Sequence, residues 1–327
     1  MSGTAGRPRL RLLVVSNMAP DERSPQRGSF VRDQVDGLRA AGADAELLEF
    51  PPGRSQYRPA VARIRRALRT GRFDLVHAHY GLAGWCAALA GARPLAVTFH
   101  GTDVRHPLVG PLSRLLARRA DLIGVVSRDL FAARDGRSGV RRAPGRTAIL
   151  PCGALLGRFG PLPQAHARER LGLDPNARLL LFPADPRRPE KRFDRAADVA
   201  GRAGAELVSA GGIEPDRMPL WINAASAVLV TSDYEGFGLA AVEALACGRP
   251  VLSTPVGIGP ALLSGVDGCL VAPFDADRWA EVARRHLDAD PPSAVDPGPL
   301  GWLSAAPLAE RVMAAYRSLL DSDAWVP

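Results

Sequence analysis

Short apolar runs alternate along the chain with longer amphipathic stretches, a pattern typical of parallel β-strands joined by helices. Eleven runs are predicted to be strands: Leu10–Ser16, Ala45–Glu49, Leu75–Ala78, Leu95–Phe99, Leu122–Val126, Thr147–Leu150, Leu179–Phe182, Ala205–Val208, Ala227–Thr231, Pro250–Ser253 and Cys269–Val271. The intervening stretches predict helices over Ser29–Ala41, Pro59–Thr70, Leu82–Ala90, Pro111–Arg119, Phe193–Ala203, Met218–Ala225, Gly238–Cys247, Asp277–Leu287 and Pro307–Leu320. The alternation is interrupted at Gly153–Pro163 and then starts again.

Two successive sets of strands and helices fit two Rossmann-like α/β domains better than one enlarged sheet. A length of 327 residues agrees, since single domains usually hold about 100–150. We predict an N-terminal domain over 1–160, a C-terminal domain over 161–305, and a last helix in 306–327 that packs back toward the N-terminal domain. Right-handed crossovers bring the carboxyl ends of all strands of a domain to one edge, so the two domains are expected to face each other across a cleft.

Composition narrows the class of protein. Hydrophobic residues at 46% and charged residues at 23% are globular values. No apolar run reaches the roughly 20 residues that cross a bilayer. The four cysteines lie far apart without paired spacing, so we expect neither a disulfide framework nor a zinc site, and we expect a cytoplasmic protein.

Charge is distributed unevenly along the chain. Residues 1–160 carry a formal charge of +14 and residues 161–327 a charge of −6. A basic first half is expected to meet something anionic. Nucleic acid is disfavoured as that partner because aromatic residues, which stack on bases, make up only 6% of the chain. Of the 42 basic residues 41 are arginine, so the single lysine, Lys191, invites a chemical role.

The strongest motif lies in 231–250, where a predicted strand ends, a turn carries Gly236 and Gly238, and a helix begins. Glycines let backbone N–H groups approach a ligand closely, and a helix N-terminus attracts anions. Glu235 in the turn and Glu243 in the helix stand eight residues apart, so they can reach different hydroxyls of one ligand. A plain structural turn with a solvent-facing Glu243 is the alternative for each residue taken alone.

This segment resembles the E-x7-E region of retaining glycosyltransferases of the GT-B fold, in particular glycosyltransferase family 4 (group 1). The resemblance implies that Glu235 contacts the donor sugar and Glu243 the nucleotide ribose. It also implies that backbone amides of the turn contact the diphosphate, here those of Gly236, Phe237, Gly238 and Leu239. It extends over about residues 10–290 and is strongest in 227–256.

Segments of the first half match the same family in order and spacing. Thr98–Asp103 resembles the strand-end histidine motif, which implies that His100 lies near the transferred sugar and Asp103 on the acceptor side. His79 directly follows another predicted strand and is also assigned to the acceptor side. His77 and His79 have the spacing of metal ligands, but packing is favoured and no metal is expected. Gly28 corresponds to a loop in which the family usually has two adjacent glycines.

The loop after the first strand of the second half resembles the family's phosphate clamp. Lys191 falls on the family's lysine, which implies a contact with the donor phosphates. The usual Gly-Arg pair is replaced by Ala184-Asp185-Pro186, so either Arg187 or Arg188 could supply the arginine, with a slight preference for Arg188. Glu235, Lys191 and His100 are therefore the predicted catalytic residues.

The resemblance implies a retaining transfer of a hexose-type sugar from a nucleotide-diphosphate sugar, which acts as co-substrate, without metal or cofactor. The predicted acceptor is a lipid-linked or cell-envelope glycan. A sugar-nucleotide epimerase of the same fold and a non-catalytic nucleotide-sugar-binding protein are the alternatives; the glycine fingerprint of dinucleotide enzymes is missing.

Two arginine-rich segments suggest a peripheral position at the inner face of the plasma membrane. Arginines flank apolar residues in 61–72 and in 112–119, and basic amphipathic helices bind anionic leaflets. The equally weighted alternative is that the apolar side chains face the domain core and the arginines face water.

Overall fold

The computed structural model describes residues 9–22, 24, 27–131, 140, 146–151, 156–290, 292–296 and 300–321. The chain divides into two compact units. The first takes in the chain up to Asp21, Arg27–Gly153 and the chain from Ala305 onward; the second takes in Glu22–Gln26 and Ala154–Ser304. Part of the predicted connection between the domains, residues 152–155 with Cys152, lies outside the described residues.

The first unit contains a six-stranded sheet in which all strands run parallel. Its strands are β1 (Arg11–Ser16), β2 (Asp44–Glu49), β3 (Leu75–His79), β4 (Leu95–Phe99), β5 (Leu122–Val125) and β6 (Thr147–Ile149). Their order is β2-β1-β3-β4-β5-β6. The strand order reverses beside β1, where ligands of open α/β sheets usually bind, outside the carboxyl ends of the strands.

The second unit contains a five-stranded parallel sheet. Its strands are β7 (Leu179–Phe182), β8 (Glu206–Ser209), β9 (Ala227–Val230), β10 (Val251–Ser253) and β11 (Leu270–Val271). The order β11-β10-β9-β7-β8 makes β7 and β9 neighbours, so the loops that follow them lie side by side. These two sheets confirm the predicted fold class of two parallel α/β domains.

Helices cover both sheets. They are α1 (Ser29–Ala40), α2 (Arg54–Thr70), α3 (Gly81–Ala90), α4 (Thr102–Arg105), α5 (Val109–Ala117), α6 (Gln164–Leu171), α7 (Phe193–Ala203), α8 (Met218–Ala224), α9 (Leu239–Ala246), α10 (Gly259–Leu263), α11 (Ala276–Leu287) and α12 (Ala305–Leu320). The prediction of a start at Pro59 for α2 was wrong, because the helix begins at Arg54 and continues through that proline. The helices α4, α6 and α10 were missed because segments of 4, 8 and 5 residues are too short to show a helical period.

The last helix belongs to the first unit, although it lies more than 150 residues further along the chain. Val312, Met313 and Tyr316 of α12 are buried among residues of β1, β3 and α1. This face of the first sheet is therefore completed by the chain that follows the second unit. Among the described residues, no helix combines the length and the apolar character needed to cross a membrane.

Candidate active site

Histidines line one face of the first sheet where β3 and β4 end. Side chains alternate between the two faces of a strand, so His77 and His79 share a face, as do Thr98 and the position two residues after it, His100. The register pairs His79 with Thr98 on the neighbouring strand. The topology alone thus brings His79 and His100 to one edge of the sheet.

The imidazoles form two short hydrogen-bonded chains. His79 Nδ1 and His100 Nε2 are 3.0 Å apart and share a hydrogen bond. His77 Nε2 bonds to the hydroxyl of Thr98 at 2.8 Å, and His77 Nδ1 bonds to the hydroxyl of Tyr316 at 2.6 Å. The side chain of Tyr316 comes from α12, so the last helix reaches the centre of this cluster.

Asp103 organises the backbone around His100. Its Oδ1 accepts hydrogen bonds from the N–H groups of His100 and Gly101, each at 3.0 Å, and its Oδ2 accepts one from Gly81 N–H at 3.1 Å. Asp103 is buried, and a buried carboxylate needs such partners. Its role is therefore to join the loops after β3 and β4, and its oxygens are occupied by backbone donors.

Burial keeps the histidines neutral. It lowers the pKa of His77 to about 3, and together with the neighbouring His77 it lowers the pKa of His100 to about 3. Burial, and then the other two imidazoles, hold the pKa of His79 well below its usual value of 6.5. At neutral pH these rings act as hydrogen-bonding groups without charge.

Two aromatic side chains hold His100 in place. Tyr80 stacks on its ring with centroids 4.4 Å apart and planes inclined by 26°, and Phe30 packs at 4.9 Å. Tyr80 has φ 74° and ψ 149°, a conformation that costs a non-glycine residue about 1–3 kcal/mol. Gly28 precedes α1 at φ 70°, where a Cβ would lie 2.3 Å from the Met18 carbonyl oxygen, so only glycine fits the turn that delivers Phe30.

The second unit brings Lys191 and Glu235 into direct contact. Lys191 Nζ donates to Glu235 Oε1 at 2.7 Å and to Oε2 at 2.6 Å. The two side chains are only 14% and 12% exposed. Ser232 Oγ donates to the same Oε1 at 2.7 Å. The candidate phosphate cation and the candidate sugar ligand therefore form one partly desolvated group.

Backbone contacts hold the two loops of this group together. The hydroxyl of Thr231 donates to the carbonyl oxygens of Lys191 at 3.1 Å and Arg192 at 2.9 Å. In return, Asp233 N–H donates to the Glu190 carbonyl at 2.9 Å. Because β7 and β9 are neighbours, few contacts suffice to place the ammonium against the carboxylate.

The bend between Glu235 and α9 has a restricted backbone. Gly238 adopts φ 96° directly before the helix begins at Leu239. The Phe237 carbonyl accepts a hydrogen bond from Ile258 N–H at 2.7 Å, and a Cβ on Gly257 would come within 2.4 Å of that carbonyl oxygen. The first amides of a helix have no acceptor within the helix, so they can bind an anion. Gly236 and Glu243 are partly exposed, on the bend and on α9.

Arg187 and Arg188 each pair with an acidic residue of their own loop. Arg187 binds both carboxylate oxygens of Asp185, the closer contact being 2.7 Å, and its hydrogen bonds lower the pKa of that carboxyl to about 2. Arg188 binds Glu190 Oε1 at 2.6 Å. Asp185 stands in the segment that replaces the family's Gly-Arg pair. It therefore binds Arg187, one of the two candidate arginines.

The structure collects the predicted residues into two groups, one in each unit. His79, His100, Asp103 and the Gly28 turn lie together in the first, and Lys191, Glu235 and the Gly236–Leu239 bend lie together in the second. Tyr80, Ser232 and Tyr316 were not predicted. Ser232 lies within the motif over 231–250 and could have been found there, whereas no local signal connects Tyr316 to His77. Within the described ranges, no three or more histidine, cysteine or acidic side chains are grouped to hold a metal.

Comparisons with known proteins show the family to which both halves of the chain are similar. The family model described as "Glycosyltransferase Family 4" matches residues 18–155, and the one described as "Glycosyl transferases group 1" matches residues 163–289. D-inositol 3-phosphate glycosyltransferase 1 of Catenulispora acidiphila is 30% identical over 316 residues, covering 77% of this chain and 73% of that protein. D-inositol 3-phosphate glycosyltransferase of Thermobispora bispora is 30% identical over 321 residues, covering 81% and 73%.

Solved structures share the fold at low sequence identity. HepE of Anabaena, in complex with UDP and glucose, superposes with a TM-score of 0.70 at 16% identity, covering 95% of this chain and all of that one. The catalytic domain of starch synthase IV of Arabidopsis thaliana, bound to ADP and acarbose, gives 0.71 at 11% identity, covering 97% and 100%. With two parallel-sheet α/β domains of the GT-B type and these relatives, the chain belongs to the group 1, family 4 glycosyltransferases.

Proposed function

We propose that this enzyme transfers a sugar from a nucleotide-diphosphate sugar to an acceptor hydroxyl with retention of configuration at the anomeric carbon. The observation that carries the proposal is the contact between Lys191 and Glu235 at the bend that precedes α9. One cation, one sugar-binding carboxylate and one helix N-terminus are thereby available within a single loop cluster. A sugar diphosphate needs a cation and backbone amides to bind its phosphates and a carboxylate to bind its sugar hydroxyls.

The chemistry explains why such groups are needed. As the bond between the anomeric carbon and the diphosphate oxygen breaks, negative charge grows on the leaving group and positive charge grows on the sugar ring. Fixed cations and backbone amides stabilise the first charge without reorganisation. An ammonium has three donors, and Glu235 uses two of those of Lys191, so one remains for a phosphate oxygen. Arg187 or Arg188 would assist after exchanging its present acidic partner.

His100 is proposed to contact the transferred sugar. Because burial keeps its ring neutral, His100 would orient a hydroxyl through a hydrogen bond and would not neutralise the diphosphate. Glu243, on α9, is proposed to bind the ribose. The charge compensation assigned here comes from protein groups, so we expect EDTA to leave the rate unchanged.

The donor can be identified by binding. HepE has been solved with UDP-glucose and starch synthase IV with ADP, so UDP and ADP with their glucose conjugates are the first probes. A true donor stabilises the folded chain with the logarithm of its excess over Kd. Lys191→Met should abolish the thermal shift, whereas Arg202→Met, which removes an exposed cation on α7, should keep it. Equal shifts in both variants would contradict the proposed site.

Two classes of acceptor can be distinguished by analysing the products once the donor is known. The two relatives described above are named for D-inositol 3-phosphate, which makes an inositol phosphate the first acceptor to test. A lipid-linked glycan is the second. Product analysis by mass spectrometry separates transfer from the alternatives: epimerised or hydrolysed donor without acceptor product would indicate an epimerase-like activity, and binding without turnover would indicate a non-catalytic protein.

One exposed helix face favours an acceptor at a membrane. In α2 the apolar side chains face the core, and Ile64 is fully buried. This helix therefore matches the alternative in which apolar side chains face the domain core and arginines face water. The leucines around α5 are divided: Leu116 is buried, as in α2. Leu108, directly before the helix, and Leu112 and Leu115 within it are 72%, 46% and 44% exposed and recur at helical spacing. Exposed arginines flank them at positions 105, 118 and 119.

We propose that this leucine face rests on an anionic leaflet, as a cytoplasmic protein at the inner face of the plasma membrane would require. Each well-placed arginine contributes about 1 kcal/mol to such binding. Sedimentation with phosphatidylglycerol-containing liposomes should capture the protein at low salt and release it at high salt. The double variant Leu112→Gln/Leu115→Gln should lose binding, while Trp302→Gln, which removes an exposed apolar side chain from the second unit, should not. Equal binding of all three proteins would refute the proposal.

A further inference from the structure

We infer that His79 is a positioning residue that sets the tautomer of His100: His79 Nδ1–H donates to His100 Nε2, so that His100 carries its proton on Nδ1. Its consequence for catalysis rests on the proposed function, whereas the tautomer itself does not. The two ring nitrogens are 3.0 Å apart, and the side chains of His79 and His100 are buried, at 1% and 8% exposed.

A contact between two neutral imidazoles couples their tautomers. Each ring has one N–H and one bare nitrogen, so one nitrogen of the contact must donate and the other accept. If His79 donates from Nδ1, then His100 Nε2 is bare and His100 is protonated on Nδ1. If His100 donates from Nε2, then His79 is protonated on its own Nε2. Only these two arrangements satisfy the contact.

The surroundings of His79 select between them. His79 Nε2 is buried and has no hydrogen-bond partner among the described residues. A proton placed there would be a buried donor without an acceptor, and buried donors are left unpaired less often than acceptors. The arrangement with the proton on His79 Nδ1 leaves only a bare lone pair in that position. His100 Nδ1 therefore receives the proton.

His77 shows why this constraint is particular to His79. Both nitrogens of His77 bond to hydroxyl groups, those of Thr98 and Tyr316. A hydroxyl can donate or accept, so His77 is satisfied in either tautomer and dictates nothing to its neighbours. In the contact between His79 and His100 both partners are ring nitrogens, so the tautomer of one ring fixes that of the other.

His100 is held in orientation as well as in tautomer. Stacking on Tyr80 limits the tilt of its ring, and the bond to His79 limits rotation within the ring plane. The strained backbone of Tyr80, at φ 74°, shows that the fold maintains this stacking against a conformational cost. The orientation and the tautomer of the His100 ring are thus both fixed by its neighbours.

The direct test is the protonation pattern of His100 in the full chain labelled with ¹⁵N-histidine. Long-range ¹H–¹⁵N correlation spectra report which ring nitrogen carries the proton. We expect Nδ1–H for wild-type His100. A wild-type spectrum with the proton on Nε2 overturns the inference, and this measurement needs neither a variant nor a substrate.

Two variants of His79 distinguish a role in positioning His100 from a role in packing alone. His79→Asn offers an amide N–H near the position of Nδ1 and should preserve the His100 tautomer, whereas His79→Leu should let both tautomers appear. With a donor and acceptor found as above, His79→Leu should lower kcat by about 10- to 100-fold, the usual effect of removing a group that orients a ligand, with little change in donor KM. His79→Asn should recover most of that loss.

The controls distinguish failure of this inference from failure of the proposed function. His166→Leu removes an exposed histidine on α6 and should change neither spectrum nor rate. An unchanged His100 spectrum in His79→Leu overturns the inference whatever the activity. Absence of turnover in every protein, including wild type, would refute the proposed function and leave the spectroscopic result intact.

Discussion

The pair formed by Lys191 and Glu235 gives the most direct prediction, because it joins stability and catalysis in one contact. The N–O distances are 2.6 and 2.7 Å, and the side chains are only 14% and 12% exposed, so little solvent reaches the pair. Attraction between such charges is on the order of 4 kcal/mol at an effective dielectric constant of about 20, and desolvation offsets part of it. Removing one member leaves the other charge without its partner.

We therefore expect Lys191→Met and Glu235→Gln each to lower the free energy of unfolding of the second unit by about 2–4 kcal/mol. The double variant should cost clearly less than the sum of the two, with a coupling energy of about 2 kcal/mol. Glutamine retains an oxygen that can accept from Lys191, so its effect should fall at the lower end. If the proposed function holds, each single variant should also lower kcat by about 10²–10³-fold, since each would remove a group assigned to the transition state.

Urea unfolding monitored by hydrogen exchange of peptides from 227–247 isolates the second unit from the first. The matched control is Arg202→Met, which breaks exposed pairs with Asp198 and Asp277 and should cost about 1 kcal/mol or less. A coupling energy below about 0.5 kcal/mol would show that solvent screens the pair and would refute the energetic reasoning. Full turnover in Lys191→Met would refute the catalytic role even if stability fell.

Three further predictions concern stability. Because burial lowers the pKa of His77 from 6.5 to about 3, this residue contributes stability above pH 6.5 that is lost toward pH 3, at ~1.4 kcal/mol per pH unit. Asp103, with its pKa raised by burial from 3.8 to about 6, acts in the opposite direction: its contribution is present below pH 3.8 and lost by pH 6. His77→Gln should therefore flatten the pH dependence of unfolding below pH 6.5; an unchanged slope would contradict this. Tyr316→Phe leaves an imidazole nitrogen unpaired and should cost about 1–3 kcal/mol in chemical denaturation, but much less in a His77→Leu background. Gly257→Ala, at φ 56° and facing a carbonyl oxygen, should lower the melting temperature more than Gly265→Ala, which is at φ 83° in open space.

Most of the fold could be predicted because the order of strands and helices follows from local hydrophobic patterns. Every predicted strand is present, because short β-branched or leucine-rich runs between polar turns are typical of parallel strands that are buried on both faces. The start of α2 could not be predicted, because Pro59 usually marks a helix boundary and only the packing of Ala60 and Ile64 shows that the helix continues through it. Such boundaries depend on tertiary contacts that outweigh propensity.

The residues of the candidate site could likewise be named from the sequence, but their contacts could not. The motif around Glu235 is contiguous, so its residues could be named from the chain alone, and Lys191 was indicated by its rarity. That the two side chains touch depends on β7 and β9 being neighbours, which is a property of strand order. Likewise, the apolar positions of α2 and α5 look alike in sequence, and only the fold shows that Ile64 of α2 is buried whereas Leu112 and Leu115 of α5 are exposed.

By itself the sequence determined the two parallel sheets, the identity of the strand-end residues and the family, because these follow from short-range periodicity and contiguous motifs. Only the tertiary structure decided which of those residues form hydrogen bonds with one another. The bond between His77 and Tyr316 spans 239 positions, and the one between His79 and His100 crosses from one strand to the next. Contacts at such separations arise from strand order and helix docking, which bring together polar groups that must pair once they leave water.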